Sequence, residues 1–323
     1  MRSISSIITK CLCFLLALCT FCAACPALAM DEELTIGIIS AKTTKLNPLV
    51  AEEREFQSLT ALIYEGLYYL DDEYKHQENL VAACSIDGKR WHITLRDDVY
   101  FHDGRRVTAY DVVATINEIL RLAEEGKGQY AQLKYIVTSA SANDENSLVL
   151  QVNRPYLGVY YALTFPVLPS DQVQADNPVG CGPYRVDSFS PGNYLYLSAN
   201  ENWHQDTPYV KRINVTMKAE NRALIDDYEF NRVDAAITRS ASSGQYRTGV
   251  TNLNIPYRTQ QLETLLINNR MKPLDDIRIR KAIRYAIDVD AICNNVYNGT
   301  AIRTDTPMPY GTWMYAADDT VYE

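Results

Sequence analysis

The four histidines of this 323-residue chain are the first side chains to consider as catalysts or metal ligands. His76, His92, His102 and His204 are widely spaced, and no His-x-x-x-His pair places two imidazoles on one helix face. The sequence also has no Gly-x-Ser-x-Gly elbow for a nucleophilic serine and no glycine-rich phosphate loop. His102 stands beside Asp103 in a predicted turn, which favours a structural role over that of a base. Catalysis and metal ligation therefore find little support, and we expect no cofactor.

A charged run, Glu52-Glu53-Arg54-Glu55, offers a different chemistry. The carboxylates of Glu52 and Glu53 could bind the ammonium group of a ligand, and the guanidinium of Arg54 a carboxylate, through charge-assisted hydrogen bonds. In the alternative interpretation, the run only caps the helix that follows at Ser58. Both interpretations stay open. The apolar residues of that predicted helix, which ends near Gly66, are Leu59, Leu62, Ile63 and Leu67.

The composition is that of a folded, acidic protein. The hydrophobic share is 47%, the charged share is 22% and the formal net charge is −9. Such a chain is neither a disordered protein nor a basic binder of nucleic acids. It has 23 tyrosines against 7 phenylalanines, which suits broad binding surfaces because tyrosine combines a flat apolar ring with a polar hydroxyl. Compositional drift at half-exposed strand positions is the alternative explanation.

Residues 1–29 have the parts of a secretory signal peptide: a basic start, an apolar run from Leu12 to Phe21, and the small residues Ala27-Leu28-Ala29. The apolar run is too short to favour a permanent membrane span. We predict cleavage after Ala29. Lipidation at Cys25, which follows two alanines, is the alternative. The protein is therefore expected to be exported, either to the periplasm or to the cell surface.

Beyond this leader the cysteines are Cys84, Cys181 and Cys293. They are far apart in the chain and match neither a disulfide framework nor the ligand spacing of a metal site. Two interpretations stay open: one disulfide with a free thiol, or buried thiols that behave as small apolar side chains.

The stretch from Trp91 to Leu120 is predicted to form a strand, a tight turn and a capped helix. Apolar and polar residues alternate from Trp91 to Leu95, which is the period of a half-buried strand. Asp103-Gly104 supplies the positive φ angles of a tight turn. Thr108 precedes Asp111 by three residues, which is the spacing of a capping box. Together these elements indicate a well-specified part of an α+β domain.

Other patterns extend this organisation. Leu34–Ile39 is predicted to be a buried strand. Gly180–Tyr184 contains two glycines that permit close approach of another backbone, but no helix follows at once, so a nucleotide-binding loop is a poor interpretation. A helix is predicted to begin at Asp275-Asp276, where the helix dipole stabilises carboxylates. A second helix is predicted from Asp288 to Gly299.

In their order, these residues resemble the signatures of the extracellular solute-binding proteins of ABC transporters, in the family that carries peptides and nickel (family 5). The similar elements are Trp91, Leu95-Arg96, Val99, Phe101–Gly104, Thr108–Val112, Gly180–Tyr184, Asn200–Trp203, Asn231–Ala236 and Leu266–Gly299. Family members usually have threonine at the position of Cys181 and glycine at the position of Asn231. The resemblance extends from about Leu34 to Tyr315.

The resemblance implies an α/β fold of mixed type, in which a periplasmic-binding-protein-like type II clamp of two lobes carries an extra small α+β domain. Residues 30–50 and 165–264 are expected to form the discontinuous first lobe. Residues 51–164 are expected to form the inserted small domain, and residues 265–323 the start of the second main lobe. Family members continue well beyond this length, so we expect the second lobe to be incomplete and the sequence to be truncated.

The resemblance also suggests which residues line the cleft between the lobes. Glu52–Glu55 match positions that run beside the backbone of a bound peptide, where main-chain hydrogen bonds give affinity without side-chain selectivity. Tyr130 matches a tyrosine that faces the cleft in oligopeptide-binding relatives, and an ordinary loop tyrosine is the alternative. Gln261 and Thr264 belong to the strand between the lobes, and dipeptide binders often have tyrosine where this chain has Thr264. The ligand-binding candidates are therefore Glu52, Glu53, Arg54, Glu55, Tyr130, Gln261 and Thr264.

We accordingly predict the substrate-binding component of an ABC importer. It would bind peptides reversibly and deliver them to a membrane permease with its ATPase, without a reaction of its own. A nickel chelate, haem, a sugar or an opine-like molecule is the alternative cargo. Alternatives of another class are a secreted hydrolase and a non-functional truncated remnant. We expect a monomer that has no nucleic-acid partner.

Overall fold

The structure, a computed structural model, describes residues 32–40, 42–51, 53–238, 253, 255, 257, 261–304, 306–308 and 312–314, and only the backbone of Arg54. The strands of this part of the chain are β1 (Glu33–Ile39), β2 (Tyr68–Leu70), β3 (His76–Glu78), β4 (Val81–Asp87), β5 (Arg90–Leu95), β6 (Val137–Ala142), β7 (Ser147–Val152), β8 (Tyr184–Ser190), β9 (Tyr194–Ala199), β10 (Arg212–Lys218) and β11 (Ala235–Ile237). The helices are α1 (Arg54–Thr60), α2 (Ala109–Glu124), α3 (Val159–Ala162), α4 (Asn221–Glu229), α5 (Ile277–Ala286) and α6 (Val289–Ala291), with a 3-10 turn at Ala131–Tyr135 and a π-helical turn at Ile292–Val296.

The first sheet has the strand order β11-β1-β10-β9-β8. The predicted strand β1 runs parallel to both of its neighbours, β10 and β11, whereas β9 is antiparallel to β10 and β8. Because β1 is flanked on both sides, it contributes core residues such as Ile38, which is 0% exposed. Gly37 leaves room for α4 on the sheet, since a Cβ there would lie 2.3 Å from Leu224. This sheet joins the start of the chain to strands that follow residue 183.

The second sheet is antiparallel, with the order β4-β5-β7-β6, and carries α2. The alternation predicted for β5 is confirmed, because Trp91, Ile93 and Leu95 are buried while the residues between them are exposed. The predicted capping box at the start of α2 is also confirmed: the Thr108 N–H donates to Asp111 Oδ2 at 2.9 Å. A separate two-stranded hairpin consists of β2 and β3.

The helix predicted to continue to Gly66 is shorter than expected. Helix α1 ends at Thr60, and the chain from Leu62 onward is not helical. The reason lies in the second half of the chain, because the Leu62 and Ile63 carbonyls accept hydrogen bonds from the Tyr184 and Gly182 N–H groups, both at 2.8–2.9 Å. Carbonyls that are taken by another segment cannot continue the helical ladder. The prediction of a helix through Ile63 and Leu67 was therefore wrong.

The helices predicted after Asp275 are present as α5 and α6. Asp276 caps α5 by accepting from the Arg278 N–H at 2.8 Å, and Asp288 caps α6 by accepting from the Ala291 N–H at 2.8 Å. Gly299 has the positive φ of 74° that is typical of a residue ending a helix. Neither helix buries a residue. The apolar side of α5 is therefore exposed along with its basic side.

The thiols of Cys84, Cys181 and Cys293 are all free, and Cys181 alone among these three is buried. The interpretation with one disulfide is therefore wrong for these cysteines. Within the described residues, no helix is long and apolar enough to cross a membrane.

Candidate binding site

The segment from Asn47 to Glu53, called the wall segment below, leads from β1 to α1 and is held at its first end by Asn47. This residue is 3% exposed. Its side-chain amide donates to the carbonyls of Val173 and Ala175 at 3.0 and 2.8 Å, and its Oδ1 atom accepts from the Leu49 N–H at 3.0 Å. A buried asparagine with these partners fixes the local backbone strongly. The wall segment therefore starts from a rigid support.

Glu53 holds the other end. Its Oε1 atom accepts from the Lys42 N–H at 3.0 Å, and its Oε2 atom accepts from the Thr43 N–H at 2.9 Å. The hydroxyls of Ser40 and Thr43 donate to Oε2 as well. The carboxylate that was considered for a ligand amine is thus bound by residues that follow β1.

Two residues of the charged run, Arg54 and Glu55, belong to α1. Glu53 has extended dihedral angles (φ −77°, ψ 122°), and the helix begins at Arg54. The Glu53 carbonyl accepts from the Gln57 N–H at 2.9 Å, so it is already used within the chain. Main-chain addition of a peptide along Arg54 and Glu55 does not fit a helical turn. The helix thus begins at Arg54 and not at Ser58, where the sequence predicted its start.

Tyr130 lies beside the wall segment. The neighbouring Gln129 N–H donates to the Leu49 carbonyl at 3.0 Å, which brings the two segments together. The ring of Tyr130 is partly buried and contacts Phe165 edge-on, with centroids 6.4 Å apart. Burial raises the pKa of Tyr130 to about 12, so its hydroxyl is neutral and can donate a hydrogen bond at neutral pH.

The other candidates lie elsewhere. Gln261 and Thr264 are exposed, and the Gln261 amide donates to Glu263 at 2.6 Å. Glu52 and the lipidation candidate Cys25 lie outside the described residues, as does the side chain of Arg54. The structure thus places Glu53, Glu55 and Tyr130 around one segment and shows Gln261 and Thr264 on a separate, exposed one.

A small open cleft of about 140 Å³ lies between the first part of the wall segment, α2 and the loop after residue 172. Its lining residues are Lys45, Asn47, Val50, Glu118, Arg121, Leu122, Val173, Gln174, Ala175 and Asp176. The Glu118 carboxylate accepts from Arg121, which with Gln174 lowers the pKa of Glu118. Lys45 pairs with Asp176 at 2.7 Å. The charged groups of this cleft are already paired with one another.

The motifs that contain His102, Gly182 and Asn200 are far apart in the sequence but meet in a cluster of hydrogen-bonding groups, called the polar junction below. No local sequence pattern predicted this contact. The carbonyl oxygen of Gly182 lies 3.0 Å from His102 Nε2 and accepts from Asn200 Nδ2 at 3.1 Å. Gly180 and Gly182 pack against the backbone of Ile63 so closely that a Cβ at Gly180 would lie 1.9 Å from its carbonyl oxygen. The two glycines are therefore explained by backbone packing, and not by a phosphate.

Glu65 completes the polar junction and is 8% exposed. Its carboxylate accepts from Trp203 Nε1 at 3.1 Å and contacts His204 Nε2 at 2.9 Å. Nearby, burial raises the pKa of the Cys181 thiol. Such a buried, paired carboxylate positions the loop of Trp203 and His204 against the first half of the chain. His102, Gly182 and Trp203 belong to motifs that the sequence analysis named, whereas Glu65 and His204 do not, so the sequence suggested this junction only in part.

No group of three or more metal-ligating side chains occurs in the described residues. Around the wall segment, the site combines the hydroxyl of Tyr130, which can form a hydrogen bond, with a backbone that Asn47 and Glu53 fix. This chemistry suits the non-covalent binding of a ligand.

Comparison with known proteins places these features in a family. The model of the bacterial extracellular solute-binding proteins, family 5 Middle, matches residues 46–323. The probable D,D-dipeptide-binding periplasmic protein DdpA of Escherichia coli is 23% identical over 311 residues, which are 90% of this chain and 60% of that protein. The motifs that carried the resemblance thus belong to a match that covers most of the chain.

Two solved structures share the fold. NikZ from Campylobacter jejuni in complex with Ni(L-His) gives a TM-score of 0.73 at 20% identity and covers 90% of this chain and 60% of that one. AppA from Bacillus subtilis in complex with a nonapeptide gives a TM-score of 0.69 at 19% identity and covers 88% of this chain and 60% of that one. The predicted fold, a mixed α/β periplasmic binding protein of type II, is confirmed, and the chain spans about 60% of the length of these relatives.

Proposed function

Because the chain belongs to family 5 of the bacterial extracellular solute-binding proteins, we propose that it is the substrate-binding component of an ABC importer. It binds its solute reversibly between two lobes and delivers it to a membrane permease with its ATPase. The match over residues 46–323 carries this proposal. Export by the signal peptide proposed for residues 1–29 agrees with the description of the family as extracellular. Lipidation at Cys25 is the alternative to cleavage after Ala29.

We propose that the solute is a peptide. The E. coli relative is described as a D,D-dipeptide-binding protein, and the B. subtilis structure contains a nonapeptide. The Tyr130 hydroxyl beside the rigidly held wall segment suits a ligand made of amide groups, because a neutral hydroxyl can donate a hydrogen bond to a peptide carbonyl. The second candidate is a nickel chelate, because the NikZ structure that shares the fold contains Ni(L-His).

The proposed cleft has two sides. Its first side consists of the wall segment with Glu52, the helix start at Arg54 and Glu55, and Tyr130. Its second side contains Gln261 and Thr264. This assignment goes with the division into a first lobe of residues 30–50 and 165–264, an inserted domain of residues 51–164, and the start of a second lobe at residue 265. In support, the first sheet draws its strands from residues 33–39 and 184–237.

Native mass spectrometry of the 323-residue chain with a mixed peptide library tests the proposal. We expect intact peptides to be retained by the folded protein and to raise its melting temperature in proportion to the logarithm of their concentration. Retention of Ni(L-His) without retention of any peptide would favour the nickel-chelate candidate. Binding of neither would overturn the proposal for this chain.

The same samples separate a carrier from a hydrolase. We expect the recovered peptides to have their original masses after prolonged incubation, since a binding protein releases its ligand unchanged. Time-dependent cleavage that scales with protein concentration would instead identify a secreted hydrolase and contradict the proposed function.

A further inference from the structure

The surroundings of the Glu53 carboxylate have the form of an anion-binding site. Two backbone N–H groups, those of Lys42 and Thr43, donate to it at 3.0 and 2.9 Å. Two hydroxyls, those of Ser40 and Thr43, donate to it as well. Two consecutive backbone N–H groups and two hydroxyls thus surround one carboxylate. Backbone N–H groups also capture carboxylates at other protein sites.

One of the donors, Ser40, belongs to the fold independently of Glu53. Ser40 continues β1, because its N–H donates to the Lys218 carbonyl at 3.0 Å, and it is 0% exposed. Thr43 is 8% exposed. Buried hydroxyls and N–H groups need an acceptor, and leaving them unpaired costs free energy. The site therefore requires an anion or a water in the position of Glu53.

We propose that Ser40, Lys42 and Thr43 form a carboxylate-binding site that Glu53 fills from within the chain. Glu53 is accordingly a positioning residue of the wall segment, and its carboxylate acts on the ligand through the shape of that segment. This second statement rests on the proposed function, whereas the existence of the site does not.

The geometry explains why this contact matters for the wall segment. Asn47 ties its first residue to the loop at Val173 and Ala175, and Glu53 ties its last residue to the end of β1. Residues 48–51, which lie between them, are thus held from both sides. Release of the Glu53 end removes the support next to the start of α1, while the hydrogen bonds of Asn47 and of the Leu49 carbonyl remain.

The first experiment removes the internal carboxylate and supplies a free one. The atoms that E53A removes correspond to one acetate ion. We expect E53A to melt roughly 4 °C or more below the wild type, since several hydrogen bonds to a charged group are lost from a chain of this size. Acetate should restore most of this loss in a saturable manner, while chloride at equal ionic strength and neutral acetamide should not.

Two further variants control for a general effect of acetate. E53Q fills the space but directs an amide NH₂ toward donors, so we expect a lower melting temperature that acetate does not restore. E53A combined with S40A and T43V lacks the hydroxyl donors and should also show no restoration. The carboxylate site does not exist if E53A has the melting temperature of the wild type, or if acetate raises the melting temperatures of the wild type and E53A equally.

The second experiment tests the positioning role by peptide retention in native mass spectrometry. We expect E53A to retain about fivefold less peptide than the wild type, which corresponds to roughly 1 kcal/mol, and acetate to restore retention. Unchanged retention by E53A would contradict the positioning role. If the wild type itself retains no peptide, the proposed function fails, while the melting experiment still decides on the carboxylate site.

Discussion

The Nε2 atom of His102 lies 3.0 Å from the carbonyl oxygen of Gly182, on the other side of the polar junction. A carbonyl oxygen only accepts, so Nε2 carries the proton in this contact. Asn200 donates to the same oxygen at 3.1 Å. One carbonyl thus joins the turn after β5, the glycine motif and the loop after β9.

The first prediction concerns the pH dependence of stability that arises from His102. Burial lowers its pKa below the ordinary value of 6.5, against the opposing effects of the Gly182 carbonyl and of Glu65. Between the lowered pKa and 6.5 the unfolded chain binds more protons than the folded one. The free energy of unfolding should therefore fall as the pH is lowered through this window. In H102Q the contribution of His102 to this decrease should be absent.

Urea unfolding between pH 7.5 and pH 5 measures this effect, with H92Q as the matched control because His92 is exposed on β5. The same pH dependence in H102Q and in the wild type would show that His102 is not its source.

The second prediction concerns Gly180. A Cβ there would lie 1.9 Å from the Ile63 carbonyl oxygen, and a backbone atom cannot move aside cheaply. We expect G180A to lose roughly 3 kcal/mol of stability. In G88A a Cβ meets no atom within 4 Å, and only the positive φ of 56° costs stability, about 1 kcal/mol. Equal midpoints of the two variants in urea would refute close packing at Gly180.

The third prediction concerns Asp227, which is 7% exposed and pairs with Lys218 at 2.6 Å and with Arg232 at 3.0 Å. The hydrogen bond from Lys218 is the main reason why the pKa of Asp227 is lowered. We expect D227N to lose about 2 kcal/mol, the usual worth of a hydrogen bond to a charged group. The neighbouring D226N should stay within about 0.5 kcal/mol of the wild type.

The pH dependence of this pair has a defined sign. Because the folded-state pKa is depressed, the contribution is complete above the ordinary value of 3.8 and is lost as the pH falls through the lowered pKa. D227N should therefore approach the wild type in stability as the solution is acidified. A constant difference between them down to the lowest pH would contradict the assignment.

The fourth prediction concerns the three thiols of the body of the protein. Cys181 is buried in the polar junction, and burial raises its pKa, so little reactive thiolate is present. Cys84 and Cys293 are partly exposed. We expect maleimide to label Cys84 and Cys293 in the folded protein and Cys181 only after unfolding, as read by peptide-resolved mass spectrometry. Rapid native labelling of Cys181 would contradict its burial.

Local structure was predictable where neighbouring residues determine it. The alternation around Trp91 and the capping box of Thr108 and Asp111 are both present, because each depends on a few consecutive residues. Asn231, which stands where the family usually has glycine, has a φ of 53°. Asparagine tolerates this left-handed conformation better than most residues do.

Contacts between distant segments were not predictable in the same way. Helix α1 stops early because Gly182 and Tyr184 take the carbonyls of Ile63 and Leu62, and no property of residues 59–67 reveals this. Likewise, the charge of Glu53 suggested a ligand contact, whereas Ser40 and Thr43 surround it in the folded chain. Long-range hydrogen bonds decide both outcomes.

The position of β1 between β10 and β11 also determines when the protein can fold during synthesis. Thr35 and Asp234 exchange two hydrogen bonds across 199 residues, so β1 leaves the ribosome long before the strands on either side of it exist. The four-stranded sheet, in contrast, has all its strands between Val81 and Val152. Because pairing of distant segments slows folding, we expect the first sheet to form more slowly than the four-stranded sheet. The nascent chain therefore keeps β1 unpaired until β10 has been made, and without its second neighbour until residue 237 has been made.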